Sequence, residues 1–531
     1  MSDLPTEKTT RYDRQLRLWG DHGQALLEAA HVCLINASAT GTEILKNLVL
    51  PGIGGFTIVD SKKVTSADLG NNFFFDKSSV GKSRATSATA LLLELNSEVK
   101  GCSVEKDVMQ LINDDPDFFK SFATVVATEM SESTLLELSK LLWRHSIPLL
   151  VARSYGFLGY LRLAVAEHCV VESHPDNAHH DLRIDVPFAG LCQYVDGINL
   201  DTLDSTAHSH VPFIVLLMKW AKMWRDTHNG DLPKNYAQKK EFKELLRQGV
   251  RMNEKGSPME EENFDEAIKS VNTALVPTSI PSTVLALFSN VACTNLVPGS
   301  RKFWFMVRAL KEFVTAEGNG LLPVRGSIPD MTATSKMFID LQKVYQTQAN
   351  ADTELFKKHL DALPVKSSFP ITMSDVKHFC KNAAFLRVIH CKSLEEEYNP
   401  ETLNIDTIST NLADPTSLIV YYILLRAADR YHTSNGYYPG SQLGPIESDV
   451  TQMKDLVSGL IKELQLKGVS VGDEHIIEMC RYGAAEFHSV SAYLGGVAAQ
   501  EVIKLITCQY VPFCNTHIYN ATTSSSMTYE L

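Results

Sequence analysis

A turn between an apolar strand and an amphipathic helix constrains this chain more than any other feature. Residues 31–60 run HVCLINASATGTEILKNLVLPGIGGFTIVD, which gives a strand, a tight turn, a helix, a Pro-Gly turn and a second strand ending in Asp60. This order is typical of the opening βαβ unit of a nucleotide-binding fold. The glycines of a G-x-G-x-x-G pattern would fall at Asn36, Ser38 and Gly41, so only the third is kept. We therefore expect a nucleotide-binding scaffold with a closed phosphate pocket, because two side chains project where phosphate oxygens would lie.

Length and composition limit the classes of protein to which the chain can belong. At 531 residues it is too long for one ordinary domain, so we expect two or three. The formal net charge of −12 disfavours nonspecific binding to nucleic acid or to an anionic membrane. No apolar run approaches the roughly 20 residues of a membrane span, and the first residues have no secretory signal pattern. We therefore expect a cytoplasmic and nuclear protein that binds no nucleic acid and has no membrane span.

Strands and helices alternate from residue 31 to residue 165. The strand segments, such as HVCLIN and ATVVAT, are continuously apolar, which indicates burial on both faces. Residues 205–480 carry mostly helical patterns, in which NGDLP, NGLLP and NGYYP predict helix stops with left-handed glycines at residues 230, 320 and 436. The last fifty residues return to the style of the beginning. These patterns predict an α/β, Rossmann-like domain with a mainly parallel sheet, split by a long and mainly α-helical insertion. The expected segments are 1–170 for the first part, 171–480 for the insertion and 481–531 for the closing part.

The cysteines and histidines do not predict a metal site. The chain has ten cysteines, but none forms a C-x-x-C pair. For His208 and His210, no nearby Cys, Asp or Glu completes a set of ligands, so we expect a structural or interface role. Cys391 and Cys480 lie in the most polar settings, yet nothing in the sequence specifically supplies the positioned base that a nucleophile needs. Both are expected to be buried structural thiols.

Three charged residues have open interpretations. Arg11 and Arg14 in RYDRQLRLWG lie on one helical turn, where guanidinium groups could contact phosphate. From the residues alone, a solvated helix face is the favoured interpretation. Asp60 ends the second strand, where a carboxylate binds ribose hydroxyls in dinucleotide and ATP sites. An aspartate that serves only the turn VDSKK is an equal alternative.

Five segments spread over the chain together resemble the ubiquitin-like activating enzymes. They are RYDRQLRLWG, ASATGTEILKNLVLPGIGGFTIVD, ADLGNNFFF, ESHPDNA and RYGAAEFHSVSAYLGGVAAQEVIKLI. The resemblance covers essentially the whole chain and is most specific to the regulatory, non-adenylating subunits of heterodimeric neddylation-activating enzymes. It implies that two homologous adenylation domains meet in a heterodimer. One catalytic half binds Mg-ATP and adenylates the modifier, a cysteine takes the modifier as a thioester, and a conjugating enzyme receives it.

This chain departs from the catalytic half at each position that the chemistry needs. The glycine loop is changed over residues 36–41, and Asp60 is left as a vestige of the nucleotide site. The expected second acidic residue, Arg-Gln pair and Mg-ATP aspartate are replaced by Lys62, by Asn71 with Asn72, and by Met130. Concerted loss of carboxylates and guanidinium groups removes the electrostatic basis of adenylyl transfer. We expect this chain to bind no cofactor and no metal and to be no enzyme on its own, while its partner uses ATP and Mg.

One functional side chain of the family pattern is retained in this sequence. The Tyr-x-Arg-Gln arginine of the family reaches across the dimer to the other subunit's ATP phosphates, and the matching residue is Arg14. The resemblance therefore implies an arginine finger in trans, supported by Arg11 and Gln15, in an obligate heterodimer with the catalytic subunit. The ubiquitin-like modifier and a conjugating enzyme are further expected partners of the complex. Within the insertion, the candidate partner contacts are His210, Val211, Pro329, Asp330 and Met331.

Two other functions are compatible with parts of the sequence. Gly41 and Asp60 are the sole support for an NAD-dependent Rossmann oxidoreductase. The helical insertion could also serve an adaptor that binds signalling proteins without any modifier chemistry. The degraded loop beside an intact RYDRQ segment favours the regulatory subunit over both.

Overall fold

The strands of the described residues form one eight-stranded sheet and one two-stranded sheet. The computed structural model describes residues 10–176, 179–466 and 469–531, so Asn177 and Ala178 of the ESHPDNA segment lie outside the described residues. Its strands are β1 His31–Ile35, β2 Gly55–Val59, β3 Lys100–Val104, β4 Thr124–Ala127, β5 Leu149–Tyr155, β6 Leu158–Ala164, β7 His168–Val170, β8 Arg387–Ile389, β9 Thr516–Asn520 and β10 Ser525–Tyr529. The large sheet has the order β10-β9-β6-β5-β4-β1-β2-β3, and β7 and β8 form a separate pair.

Strands β1 to β5 run parallel, and the strand order reverses between β1 and β4. Strands β6, β9 and β10 extend the sheet by antiparallel pairing. The predicted α/β fold with a mainly parallel sheet is thus confirmed, including the return of the last fifty residues to the same sheet. In such folds the point of reversal opens a crevice at the carboxyl ends of the strands, where ligands bind.

The chain divides into two compact units, 1–170 with 388–531 and 171–387. In the first unit, the helices before residue 170 are α1 Asp13–Ala29, α2 Ala39–Val49, α3 Arg84–Leu93, α4 Val108–Asp114 and α5 Glu132–Arg144. The second unit contains α6 Ala189–Asp196, α7 Ser205–His208, α8 Phe213–Thr227, α9 Tyr236–Gln248, α10 Glu262–Ala274, α11 Ser282–Ser289, α12 Val291–Thr294, α13 Lys302–Thr315, α14 Ser335–Ala362 and α15 Met373–Lys381. The first unit resumes with α16 Leu394–Tyr398, α17 Ile405–Leu412, α18 Val420–Asn435, α19 Glu447–Glu463, α20 Asp473–Tyr482 and α21 His488–Thr507.

Helices of the first unit begin where serine side chains cap their free N–H groups. Ser38, Ser83 and Ser131 precede α2, α3 and α5, and each hydroxyl accepts a hydrogen bond from the backbone N–H three residues later. A serine at this position satisfies one of the donors that the first helical turn leaves unpaired. Helix α1 is broken at Gly20, whose φ of 64° lies in the left-handed region that favours glycine.

The sheet of the first unit is buried on both faces. Along β1, Val32 and Leu34 face one apolar cluster, while Cys33 and Ile35 face another. The first cluster includes α21, and the second includes α5. A strand covered on both faces needs apolar residues at every position, which explains its continuous pattern in the sequence.

The second boundary lies at 387/388, about ninety residues earlier than the sequence patterns predicted, whereas the first, at 170/171, coincides with the prediction. Helices α18 to α20 bury an apolar cluster that also contains Tyr155 of β5 and Ile518 of β9, so they belong with the sheet. Tyr422 and Met479 are among the buried members of that cluster. Residues 388–480 therefore complete the first unit. Their helical periodicity could not reveal this, because it does not show which surface a helix covers.

The second unit has its own core around α8. Ile214 and Leu217 of that helix are fully buried in a cluster with residues of α9, α10 and α14.

The predicted helix stops at residues 230, 320 and 436 all have glycine with φ near 80°. Among the described helices of both units, none has an apolar stretch long enough to cross a bilayer.

Substitutions at two neighbouring glycines of α21 test how closely this helix packs against α2. A Cβ atom at Gly495 would lie 2.7 Å from Cβ of Glu43 and 2.9 Å from its carbonyl carbon, whereas a Cβ atom at Gly496 would have no neighbour within 4 Å. We expect Gly495→Ala to lower the free energy of unfolding by about 1–3 kcal/mol, because the helices must move apart. Gly496→Ala should instead raise it by about 0.5–1 kcal/mol through better helix propensity. Urea titration of both variants measures the difference, and equal effects would contradict close packing at Gly495.

Candidate functional site

The degenerate turn lies at the reversal of strand order, where a nucleotide fold places its phosphates. Asn36 follows β1 with φ of 64°, so it keeps the left-handed backbone of the glycine that it replaces. Asparagine tolerates this conformation better than most residues. Its side-chain Nδ2 donates to the carbonyl oxygens of Thr128 and Glu129 at 2.8 and 3.2 Å. The turn is therefore tied to the segment that follows β4, across the crevice.

The retained third glycine packs the helix onto the strand. A Cβ atom at Gly41 would lie 2.9 Å from the carbonyl oxygen of Asn36 and 2.9 Å from the side chain of Leu34. This is the packing role that the sequence pattern assigns to that glycine. The scaffold of the turn is thus preserved although two of its three glycines are not.

Asp60 points into the protein rather than into the crevice. Its side chain has no exposed surface, and Oδ2 accepts a hydrogen bond of 2.8 Å from the backbone N–H of Ala37. Oδ1 accepts a bond of 2.8 Å from the N–H of Lys62. Of the two interpretations that the sequence left open, the structure favours the turn, because both carboxylate oxygens are engaged by backbone donors.

A buried guanidinium holds the acidic groups of the crevice together. Arg84, with 5% of its side chain exposed, places Nε 3.2 Å from Asp60 Oδ2 and Nη1 3.1 Å from Glu129 Oε2. Lys62 reaches the same Glu129 oxygen at 3.1 Å. Lys62 and Arg84 therefore hold Glu129, the carboxylate next to Met130. Burial is the largest influence on Asp60 and raises its pKa, while Arg84 acts against it.

Glu486 occupies the place at the N-terminus of α2 where a phosphate would bind. Its Oε2 accepts a bond of 2.8 Å from the N–H of Ala39, and Oε1 accepts bonds from Thr40 N at 3.3 Å and Thr40 Oγ1 at 2.7 Å. Free N–H groups and the helix dipole make such an end a site for anions. Here the anion is a side chain of the same chain. Burial and the nearby Glu129 raise the pKa of Glu486 to about 7.

The two asparagines of the ADLGNNFFF segment close the remaining side of the turn. Asn72 is buried, donates from Nδ2 to the carbonyl oxygen of Ala37 at 3.3 Å and accepts from Thr42 Oγ1 at 3.2 Å. Asn71 Nδ2 donates to the carbonyl oxygen of Glu486 at 3.4 Å. A triphosphate does not fit this arrangement. The carboxylates of Glu486 and Glu129 would oppose its negative charge, and the N–H donors at the start of α2 already bind Glu486.

The RYDRQ segment has one buried and several exposed side chains. Tyr12 is 2% exposed, and its hydroxyl donates to Glu98 Oε2 at 3.0 Å and accepts from Asn96 Nδ2 at 3.1 Å. Arg14, in the first turn of α1, has 93% of its side chain exposed. Arg11 is also exposed, and Gln15 is half-buried. The tyrosine thus anchors the helix while the arginines extend into solvent.

The predicted contacts in the second unit differ in their accessibility. Asp330 is exposed, and His210, Pro329 and Met331 are half-buried. Val211, by contrast, is fully buried in the core of the unit and has no surface to offer a partner. The sequence could not show this, because an apolar residue next to a proline is equally common at surfaces and in cores.

The predicted structural roles of His208 and of two cysteines agree with their surroundings. His208 is buried with Nδ1 2.6 Å from Glu261 Oε1, a carboxylate distant in sequence. Among the described residues, no group of three or more His, Cys, Asp or Glu side chains is arranged to hold a metal. Cys391 and Cys480 are both buried. A hydrogen bond with Cys514 and burial raise the thiol pKa of Cys391, and burial raises that of Cys480.

Comparison with known proteins identifies the family. The ThiF family matches residues 12–530. A NEDD8-activating enzyme E1 regulatory subunit of Danio rerio is 51% identical over 534 residues, covering 100% of both chains. The protein of that name from Gallus gallus is 51% identical and covers 99% of this chain and 98% of its own, and that from Drosophila melanogaster is 42% identical with the same coverage. The chain belongs to the ThiF family, with the NEDD8-activating enzyme E1 regulatory subunits.

This family membership confirms the resemblance to ubiquitin-like activating enzymes that the five segments indicated. The Rossmann-like adenylation fold is confirmed with it. Arg84, Glu129 and Glu486 are the residues of the crevice that the sequence did not single out. Glu486 lies in the RYGAAEF segment, and Arg84 follows a helix-capping serine. Neither signal shows that Arg84 and Glu486, which are about 400 residues apart in the sequence, both lie beside the turn after β1.

The raised pKa of Glu486 leads to a prediction about pH. Its folded pKa of about 7 exceeds the ordinary glutamate value of 4.5, so the folded protein binds more protons than the unfolded chain between these values. The contribution of this carboxyl to stability therefore falls as the pH rises through that window. We expect Glu486→Gln to gain melting temperature relative to the wild type as the pH rises from about 5 to about 7.5.

Two matched variants control the experiment. Glu401→Gln, at an exposed position, should show no such pH-dependent difference. Glu129→Gln should move the window for Glu486 to lower pH, because it removes a neighbouring negative charge. A difference between Glu486→Gln and wild type that is constant with pH would contradict the assignment.

Proposed function

We propose that this chain is the regulatory subunit of a heterodimeric, ATP-dependent activating enzyme for the ubiquitin-like modifier NEDD8. Its family membership and its relatives' names support this role. The observation that carries the non-catalytic part is the carboxylate of Glu486 on the N–H groups of Ala39 and Thr40. An adenylating site needs those donors for nucleotide phosphate, so the chain supports adenylation and thioester formation in a companion subunit.

Arg14 is the group through which the chain acts on the companion's chemistry. Its guanidinium extends from a helix that buried Tyr12 fixes, with 93% of the side chain exposed and Nε 3.8 Å from Asp13 Oδ2. An exposed cation held on a fixed helix is suited to stabilise charge on a phosphate outside its own chain. Arg11 and Gln15 lie on the same helical turn and support its placement.

The proposal also covers the cofactors, the partners and the location of the complex. The chain itself holds no nucleotide and no metal, and the catalytic subunit supplies the site for ATP and Mg. The partners are that subunit in an obligate heterodimer, the modifier and, through the complex, a conjugating enzyme. His210, Pro329, Asp330 and Met331 are proposed as contacts with the catalytic subunit, and the complex works in the cytoplasm and nucleus.

The first test separates a regulatory from a catalytic role. We expect the purified chain to show no ATP–pyrophosphate exchange in the presence of the modifier, because its phosphate position is taken by Glu486. Adding the catalytic subunit should restore exchange and ATP-dependent thioester formation. Exchange by the chain alone would overturn the proposal.

The second test addresses Arg14. We expect Arg14→Ala to lower the adenylation rate of the heterodimer by about 10²–10³-fold, as for other side chains that stabilise phosphate charge. Arg17→Ala is the matched control, since Arg17 is exposed on the same helix and pairs with Asp13 at 3.0 Å. Co-elution of the subunits should be unchanged in both variants. Equal rates for the two variants would remove the finger role from Arg14.

A further inference from the structure

The second unit contains a cavity that plays no part in the proposed function. Its volume is about 360 Å³, and its lining residues all lie between 175 and 387. Cavities of roughly 300–1,000 Å³ are of the size that binds small molecules. Much of the wall is apolar, with Val276, Pro277, Pro281, Leu322 and Phe385 among its residues. The cavity can therefore enclose an apolar group.

Arg325 is the first of two arginines in this wall that form no salt bridge within the described residues. Its guanidinium lies 4.8 Å from the centre of the Phe385 ring, and its buried Nε has no hydrogen-bond partner among the described residues. Burial lowers its pKa, which Glu172 only partly offsets. That carboxylate is itself engaged, with its oxygens 3.4 Å from His174 and 3.9 Å from His378. A half-buried guanidinium with an unused donor is costly unless a further acceptor binds there.

Arg387 is the second of these arginines. It is half-buried, and its Nη1 donates to the carbonyl oxygen of the preceding Leu386 at 2.7 Å. Burial lowers its pKa too. Within residues 10–176, 179–466 and 469–531, no carboxylate forms a salt bridge with Arg325 or Arg387. Two guanidinium groups without a close ion pair among the described residues thus share a wall with a large apolar surface.

The aspartates of the lining do not neutralise these cations. Asp181 pairs with Arg183, whose Nε lies 2.6 Å from Oδ2. Asp185 accepts bonds from the N–H and hydroxyl of Thr278 at 2.6 and 2.7 Å. The four Lys and Arg side chains of the wall, at positions 183, 325, 381 and 387, nevertheless outnumber its two aspartates in a chain whose formal net charge is −12. Guanidinium groups match the geometry of carboxylate and phosphate oxygens, which would supply the missing acceptors.

We propose that this cavity binds a small anionic ligand in which a carboxylate or phosphate is attached to an apolar body. Arg325 and Arg387 contact the anionic group, and the apolar wall around Val276 and Phe385 encloses the rest. The affinity of this pair of contacts falls as the salt concentration rises, because a charge-assisted interaction is screened. The site is independent of Arg14 and of the crevice at α2, so its occupancy can be measured on the full chain without the catalytic subunit.

The test uses fluorinated probes and ¹⁹F NMR titration of the full chain. 4-Fluorobenzoate and 4-fluorophenyl phosphate carry the two anionic groups, and 4-fluorobenzamide is the neutral control of the same shape. We expect saturable binding of at least one anion, weakened by salt, and at least about tenfold weaker binding of the amide. The tighter anion then identifies the preferred group. Equal binding of the amide and both anions, or no saturable binding of either anion, would overturn the proposal.

Substitutions place the anion at the two arginines. Arg325→Gln and Arg387→Gln should each weaken binding of the tighter anion by at least about tenfold. Arg308→Gln is the matched control, because Arg308 lies in the same unit, pairs with Glu312 at 2.9 Å and does not line the cavity. Unchanged affinity in both cavity variants would overturn the proposal. Circular dichroism establishes whether each variant is folded. If a variant does not fold, the difference in affinity between the anions and the amide on the wild-type chain tests the proposal instead.

Discussion

The contact between the carboxylate of Glu486 and the N-terminus of α2 determines the character of the first unit. A helix end with free N–H groups attracts an anion, and in a nucleotide-binding fold the anion is a phosphate. Here residue 486, from the far end of the chain, supplies it to residues 39 and 40. The contact fixes the turn after β1, connects the closing segment to the opening βαβ unit and occupies the phosphate position.

The neighbouring ion cluster extends the same principle. Arg84 neutralises Asp60 and Glu129 inside the protein, and Lys62 adds a second cation to Glu129. Side-chain cations thus balance the carboxylates at this edge of the sheet. The crevice stabilises its own fold through these ion pairs.

Much of the fold could be predicted from the sequence because its patterns reflect local rules. The continuously apolar strands indicated a sheet buried on both faces, and Val32 and Cys33 indeed face opposite clusters. Glycines at helix ends predicted left-handed backbone, as Gly436 has. The extent of the insertion was predicted less well, since the helix around Tyr422 packs against the sheet. Periodicity predicts a helix and its apolar face, but not the surface that this face covers.

The sequence by itself determined the strand–turn–helix scaffold, the loss of two loop glycines, the helix stops and the family, because each is written in neighbouring residues or in recognisable segments. Only the tertiary structure decided what replaced the lost phosphate site. It brought Glu486 to Ala39 and, among the described residues, left Nε of Arg325 without a hydrogen-bond partner in its cavity. Charge compensation depends on distances between groups that are hundreds of residues apart. Those distances are set by how the sheet and helices pack, and no local pattern records them.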